Sequence, residues 1–496
     1  MKRREFVKLG SVAVLGASTA KLLPATRQQA PETPTSISQG APAAAPGPAD
    51  FTLRIAPVLV EFAPHRALST IGYNGTSPGP VLRMRAGKMT TVDVINDTDV
   101  PELVHWHGQL VPSEVDGSEE EGTPLVPPRG RRRYQFRPGP VGTRWYHSHA
   151  MSGTDLHRGT YSGQFGFVLV EGANNPGRYD QELFLAFRDW EPFFSDQDND
   201  EESALPNVPE HEGVPTPRIW PTGPEAPATP DTRPNGWEIA YRIFSINDKL
   251  LGGGEPIRVK PGQRVLMHLL NASATSNRRV AFSAHKFQVV ALDGNPVPVQ
   301  RAVDVLEFGP GERIDAIVEM NQPGVWILGT TRDSDRQKGM GVLVEYTNPK
   351  SSVPWLPPPT TPWDYTIFGN PVAPKAPDQT IEMIVEGDKG GPGRFNQWKI
   401  NGQQNPEIAI NPGVRYRLLL RNRSDDSHPV HLHRHLFELA EFNGKPTSGI
   451  MKDTVVMPAY GRVALDFVAD QPGLTLFHCH NQLHMDFGFK ALFRYT

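Results

Sequence analysis

The 496-residue chain is 38% hydrophobic and 21% charged, a globular composition, and its length calls for about three domains rather than one core. A formal net charge of −4 offers no basic excess for gripping nucleic acid or an anionic membrane. Fifty prolines, near twice the usual ~5%, argue against helical bundles and for turn-rich β structure, and a single cysteine excludes any internal disulfide.

Residues 1–27 read as a signal peptide. "MKRREFVKLGSVAVLGASTA" has a basic start, a short apolar run and small residues around Ala20. The run is too short to remain as a membrane span. Arg3 and Arg4, followed by Phe6 and Lys8, resemble a twin-arginine signal, which exports folded proteins. The expected location is therefore periplasmic or secreted, with no membrane span in the mature chain. The Pro/Ala-rich stretch 28–50 reads as a disordered linker.

Beyond the linker the chain repeats itself. "PVLRMRAGKMTTVDVIND", "PIRVKPGQRVLMHLLNAS" and "PEIAINPGVRYRLLLRNRS" each set a closing asparagine nine positions after a turn glycine: Gly87 and Asn96, Gly262 and Asn271, Gly413 and Asn422. Alternating apolar residues between them predict half-buried strands. A second echo, "RPGPVGTRWYHSH", "NQPGVWILG" and "DQPGLTLFHCH", is a Pro-Gly turn followed by an aromatic strand. The copies lie 175 and 151 residues apart, too far for a solenoid. The prediction is an all-β chain of three consecutive Greek-key β-sandwich domains, at 51–175, 176–350 and 375–496, with a proline-stiffened connector at 351–374. The Pro- and acid-rich stretch from Trp190 to Trp237 reads as a surface insertion of the kind that can cover a substrate site. "RGRRRY" at 129–134 reads as a solvated strand face.

Of 16 histidines, eight fall in His-x-His pairs: His105/His107, His147/His149, His431/His433 and His478/His480. In a strand both histidines of such a pair project to one face. The pairs sit in the first and third repeats only, so the middle domain's His268 and His285 are expected to be structural. Eight imidazoles from two domains can meet at an interface and hold several metal ions, although imidazole alone does not choose among zinc, copper, iron and nickel. Cys479 lies between His478 and His480 and must face the other way, toward a second site. His484, past a short turn, can return to that face, and His428, off the alternation of His431 and His433, can supply a third ligand. Two histidines and a thiolate form the blue-copper donor set.

The motifs "HWHG", "HSH", "HPVHLH" and "HCHNQLH" resemble those of the laccase-type multicopper oxidases over nearly all of the chain after the linker. The resemblance implies cupredoxin-like domains and four coppers. A type 1 copper would take His428, Cys479 and His484, and a type 2 copper His105 and His431. Two type 3 coppers would take His107, His147, His149, His433, His478 and His480. Phe489 stands at the axial position of the type 1 site, where many relatives have methionine; it cannot ligate, which predicts a raised potential. Met485 adjoins His484 at the wrong spacing for that role. Arg434 replaces the glycine usual before the last histidine of the third motif, and His435 is not a ligand in the pattern. Asp116 resembles the acid placed beside the trinuclear cluster to supply protons, and Asp486 is the other candidate near the type 1 motif.

The implied activity is one-electron oxidation of small organic reductants, phenols or aromatic amines, at the type 1 site near His484. Cys479 links that site to His478 and His480, where O2 is reduced to water. The alternative is a metal oxidase acting on Cu(I) or Fe(II), although the 11 methionines form no methionine-rich segment. A copper-free envelope protein on the same scaffold would lack the ligands. Nothing in the sequence speaks to oligomeric state.

Overall fold

The computed structural model describes residues 47–173, 176–195, 235–347, 355–359 and 362–496. The expected signal peptide, most of the linker, most of the 190–237 insertion and part of the connector lie outside these residues. Six sheets account for the structure, two in each of three stretches, 51–171, 181–346 and 379–495. The α-helices among the described residues are short: Ser113–Asp116, Asp333–Gln337 and Gln482–Asp486. None is long and apolar enough to cross a membrane. These are three consecutive cupredoxin-like β-sandwiches.

Each sequence repeat is a strand, a turn and a strand that passes from one sheet to the other. The first strands, Leu82–Arg85, Ile257–Val259 and Glu407–Ile410, run parallel to the last strand of their own sandwich. The second strands, Thr90–Asn96, Arg264–Asn271 and Arg415–Asn422, run parallel to the long strand that opens it. Gly87, Gly262 and Gly413 turn the chain at φ 69°, 82° and 78°, a left-handed conformation that favours glycine. A Cβ at any of them would meet nothing within 4 Å, so backbone conformation and not space demands glycine.

The closing asparagines are buried pins. Nδ2 of Asn96, Asn271 and Asn422 donates to the carbonyls of Val126, Phe308 and Pro458, while Oδ1 accepts from the amide two residues on. Each pin satisfies backbone groups that a buried loop would otherwise strand.

The cores join the sandwiches to one another. One apolar cluster runs through the second and third, and another, with Phe62, Trp145, Trp190 and Leu270, fills the seam between the first and second. Phe62 meets Trp190 edge-on at 5.6 Å. His268 and His285 are structural, as expected. His268 is paired with Asp315 and Glu182, and His285 bonds Tyr346.

Candidate metal centre

Strand register sets the histidines against one another. His105 lies directly opposite His147 in the first sandwich, and His431 opposite His478 in the third. The two faces meet, and none of the eight paired histidines is more than 5% exposed. Their donor atoms gather in three triads, each within 4.8 Å: His107, His147 and His480; His149, His433 and His478; His105, His107 and His431.

Backbone carbonyls decide which ring nitrogen faces inward. Nδ1 of His105, His147, His431 and His478 lies 2.7–2.9 Å from the carbonyls of Asp116, Ser148, Asp453 and Cys479. Nδ1 of His433 lies 2.7 Å from Oδ2 of Asp116. A carbonyl or carboxylate oxygen only accepts, so these nitrogens carry the proton and each Nε2 is a bare lone pair. Nε2 of His433 then faces Nε2 of His478 at 3.0 Å, and that of His105 faces that of His431 at 3.4 Å. Lone pairs aimed at each other at this distance repel unless a cation joins them.

Nδ1 of His107, Nε2 of His147 and both ring nitrogens of His149 and His480 are buried without a hydrogen-bond partner. Buried polar atoms are seldom left so. Burial, then the neighbouring imidazoles, hold His107, His147, His431 and His478 well below the ordinary histidine range, so the rings are neutral, the form that ligates. The residues fit metal.

His107 is turned the other way from its neighbours. Its Nε2 lies 3.0 Å from Oδ1 of Asp453, which leaves Nδ1 to face the cluster. Asp453 is in turn gripped by Arg313 of the second sandwich through two bonds of 2.7 and 2.6 Å, all of it buried. The sequence reading did not single out either residue, because neither belongs to a motif.

The second site lies on the opposite face of the Leu474–Cys479 strand. Sγ of Cys479 is 3.7 Å from Nδ1 of His428 and 3.6 Å from Nδ1 of His484, and the two nitrogens are 3.1 Å apart. All three residues are buried. Ser424 bonds Nε2 of His428 at 2.9 Å, and Asn481 caps the helix Gln482–Asp486 that presents His484. Burial brings His484 down to about 3 and His428 well below its usual value. The Phe489 ring packs 4.9 Å from that of His428 and offers no donor atom. Trp398, absent from the sequence reading, covers both imidazoles at centroid distances of 4.6 and 4.4 Å. Met485 is buried on the same helix as His484.

The acids divide. Asp116 is fully buried, with Oδ2 at 2.7 Å from His433 and 3.1 Å from His105. Burial works to raise its pKa, but those two histidines outweigh it and hold the carboxyl well below the usual range. Glu121, which the sequence did not single out, is 3% exposed. Burial and then Asp116 push it well up, and its Oε1 accepts from the amide of Leu476 at 2.6 Å. Asp486 lies elsewhere. It accepts from the amides of Ser152 and Gly153 at 3.1 and 2.7 Å and from Gln482 at 2.9 Å, and burial raises it to about 6.

A thiolate beside two imidazoles selects copper, and imidazoles alone in the neighbouring groups suit it; three cupredoxin-like sandwiches carrying both donor sets define a multicopper protein. Families described as multicopper oxidase match residues 55–175, 231–348 and 373–496. The chain is similar to multicopper oxidase MmcO of Mycobacterium tuberculosis, 29% identical over 86% of this chain and 83% of that one. It is similar also to Laccase-2 of Botryotinia fuckeliana, 26% identical over 86% of this chain and 78% of that one. The multi-copper oxidase of Pseudomonas thermotolerans shares the fold, with a TM-score of 0.66 at 23% identity, covering 90% of this chain and 100% of that one. The chain belongs to the multicopper oxidase family: it is a copper-dependent oxidoreductase with O2 as acceptor.

Proposed function

We propose that this oxidase is laccase-like, drawing electrons singly from phenols or aromatic amines at the His428, Cys479 and His484 site and reducing O2 to water at the eight-histidine cluster. Four coppers suit the donors. One would be held by His428, Cys479 and His484, one by each of the triads His107, His147, His480 and His149, His433, His478, and one by the facing nitrogens of His105 and His431. Bound copper supplies the electron storage and the O2 chemistry.

The chain supplies placement, dryness and protons. His478 and His480 belong to different triads, and Cys479 is bonded to both, so one strand end joins the mononuclear donors to both triads. Asp116 anchors the Nδ1 protons of His433 and His105, and Glu121, driven toward its protonated form beside it, is a proton reserve. Asp486, ordinarily a stronger acid, sits at about 6 and is a second reserve at the mononuclear end.

The observation that carries the substrate reading is a half-buried aromatic frame beside that end. Phe395 stacks on Phe487 at 4.3 Å, Phe194 meets Phe395 edge-on at 5.3 Å, and the amide of Trp398 donates to the carbonyl of Phe487. A flat aromatic reductant matches such a frame in shape and in ring electrostatics. The similarity to a laccase is consistent with this reading. We assign the domains to 51–175, 176–350 and 375–496, and the destination to the periplasm or exterior through the twin-arginine-like start.

The test is O2 uptake by copper-loaded protein with methoxyphenols, an aromatic amine, Fe(II) and Cu(I) in parallel. Uptake with the organic donors supports the laccase reading. Uptake with the metal ions alone moves the enzyme to metal oxidation.

A further inference from the structure

Arg434 occupies a backbone position that suits glycine. Its φ is 58°, in the left-handed region where a side chain brings strain, and it is 2% exposed. A long cationic side chain persists there only if its contacts outweigh both strain and burial. All five of its N–H donors are engaged. Nε bonds the carbonyl of Val111 at 2.9 Å. Nη1 bonds the carbonyl of Leu474 at 2.5 Å and Oγ1 of Thr475 at 3.2 Å. Nη2 bonds the carbonyls of Gln471 and Pro472 at 3.3 and 2.8 Å. No carboxylate pairs with it directly among the described residues.

These partners come from three places that the metal cluster depends on. Val111 belongs to the first sandwich, next to Pro112 and the helix Ser113–Asp116. Gln471–Thr475 is the Pro-Gly turn and the start of the strand that carries His478 and Cys479. Arg434 itself follows His433. A Cβ on Gly473, in that turn, would come within 2.8 Å of Oγ of Ser113 and 3.5 Å of Nη1 of Arg434, so helix, turn and guanidinium are in close contact.

The geometry points to Arg434 as a positioning residue that clamps the first sandwich to the third around the trinuclear cluster. Its planar fork fixes the Pro-Gly turn, and with it the strand bearing His478, against the segment that leads into Asp116. His433, the residue before it, bonds Asp116 on one side and faces His478 on the other. The inference depends on copper in the cluster and is independent of which reductant the enzyme uses.

The test is copper release from the loaded protein under a chelator, reading cluster copper by paramagnetic resonance and total metal, and the mononuclear site by its blue absorption. Arg434→Gly removes the fork while relieving the backbone. It is expected to release cluster copper about 10–100-fold faster, as loss of the groups supporting ligands does, with the blue absorption retained. Arg434→Lys is expected to follow the glycine variant, because an ammonium cannot reproduce the fork. Thr475→Val keeps the shape and removes one acceptor, and is expected to speed release about two- to fivefold. Two results overturn the inference. One is cluster copper held by Arg434→Gly as long as by the parent; the other is equal acceleration at both sites, which marks a general structural role. Should the glycine variant not fold, unchanged release in Thr475→Val overturns it alone.

Discussion

Oδ1 of Asp453 and Nε2 of His107 lie 3.0 Å apart, and this contact turns His107 opposite to His105, His147, His431, His433 and His478, presenting Nδ1 where they present Nε2. The same carboxylate closes a buried pair with Arg313, so one side chain orients a ligand and neutralises a cation from another domain. Burial works against its charge, and Arg313 more than compensates, holding it below the usual carboxylate value. Asp453→Asn removes the two-bonded carboxylate and leaves that buried guanidinium only the more distant Asp293, at 3.7 Å. Chemical denaturation is expected to show a loss of about 3–5 kcal/mol. A loss under 1 kcal/mol would mean that the pair contributes little to docking the domains.

Phe489 is fully buried against His428 and supplies no donor. Phe489→Met places a thioether in the same position, which stabilises oxidised more than reduced copper. The mononuclear potential is expected to fall by roughly 60 mV or more, a tenfold shift for a one-electron couple. Redox titration of the blue absorption reads it, and an unchanged potential would put residue 489 outside the coordination sphere.

The aromatic frame yields a kinetic difference. Phe395→Ala and Phe487→Ala are each expected to raise KM for methoxyphenols about two- to tenfold, matching an aromatic contact of about 0.5–1.5 kcal/mol. Their Fe(II) kinetics should hold steady. Parallel losses with both donors would place the effect in the copper site instead.

His268 makes stability depend on alkaline pH. Burial opposes its proton, but Asp315 and Glu182 outweigh burial and raise it to about 9 from the ordinary 6.5. A raised histidine contributes its full stabilisation below about 6.5 and loses it as pH climbs through about 9. The contribution is on the order of 3 kcal/mol. Thermal melts of the parent should fall between those values, and His268→Gln should be flatter there. Identical slopes would rule out His268 as the titrating group.

Periodicity and spacing carried much of this protein. The three repeats were legible because each encodes a left-handed glycine turn and an alternating strand set within about ten residues, although the carbonyls that the closing asparagine pins reach, 30 to 37 residues on, come from the fold. The His-x-His pairs and the lone cysteine were legible because alternation along a strand assigns faces without knowledge of the partner. Tertiary structure alone gathered His107, His147 and His480 into one triad and His149, His433 and His478 into another, since that depends on which faces of the first and third sandwiches meet. It alone brought Asp453, Arg313, Glu121 and Trp398 to the sites, from positions no motif marks. It also showed why Arg434 is tolerated where glycine is usual: its five acceptors come from segments 37 residues and more away, and only the closed seam between two domains puts them within reach of one guanidinium.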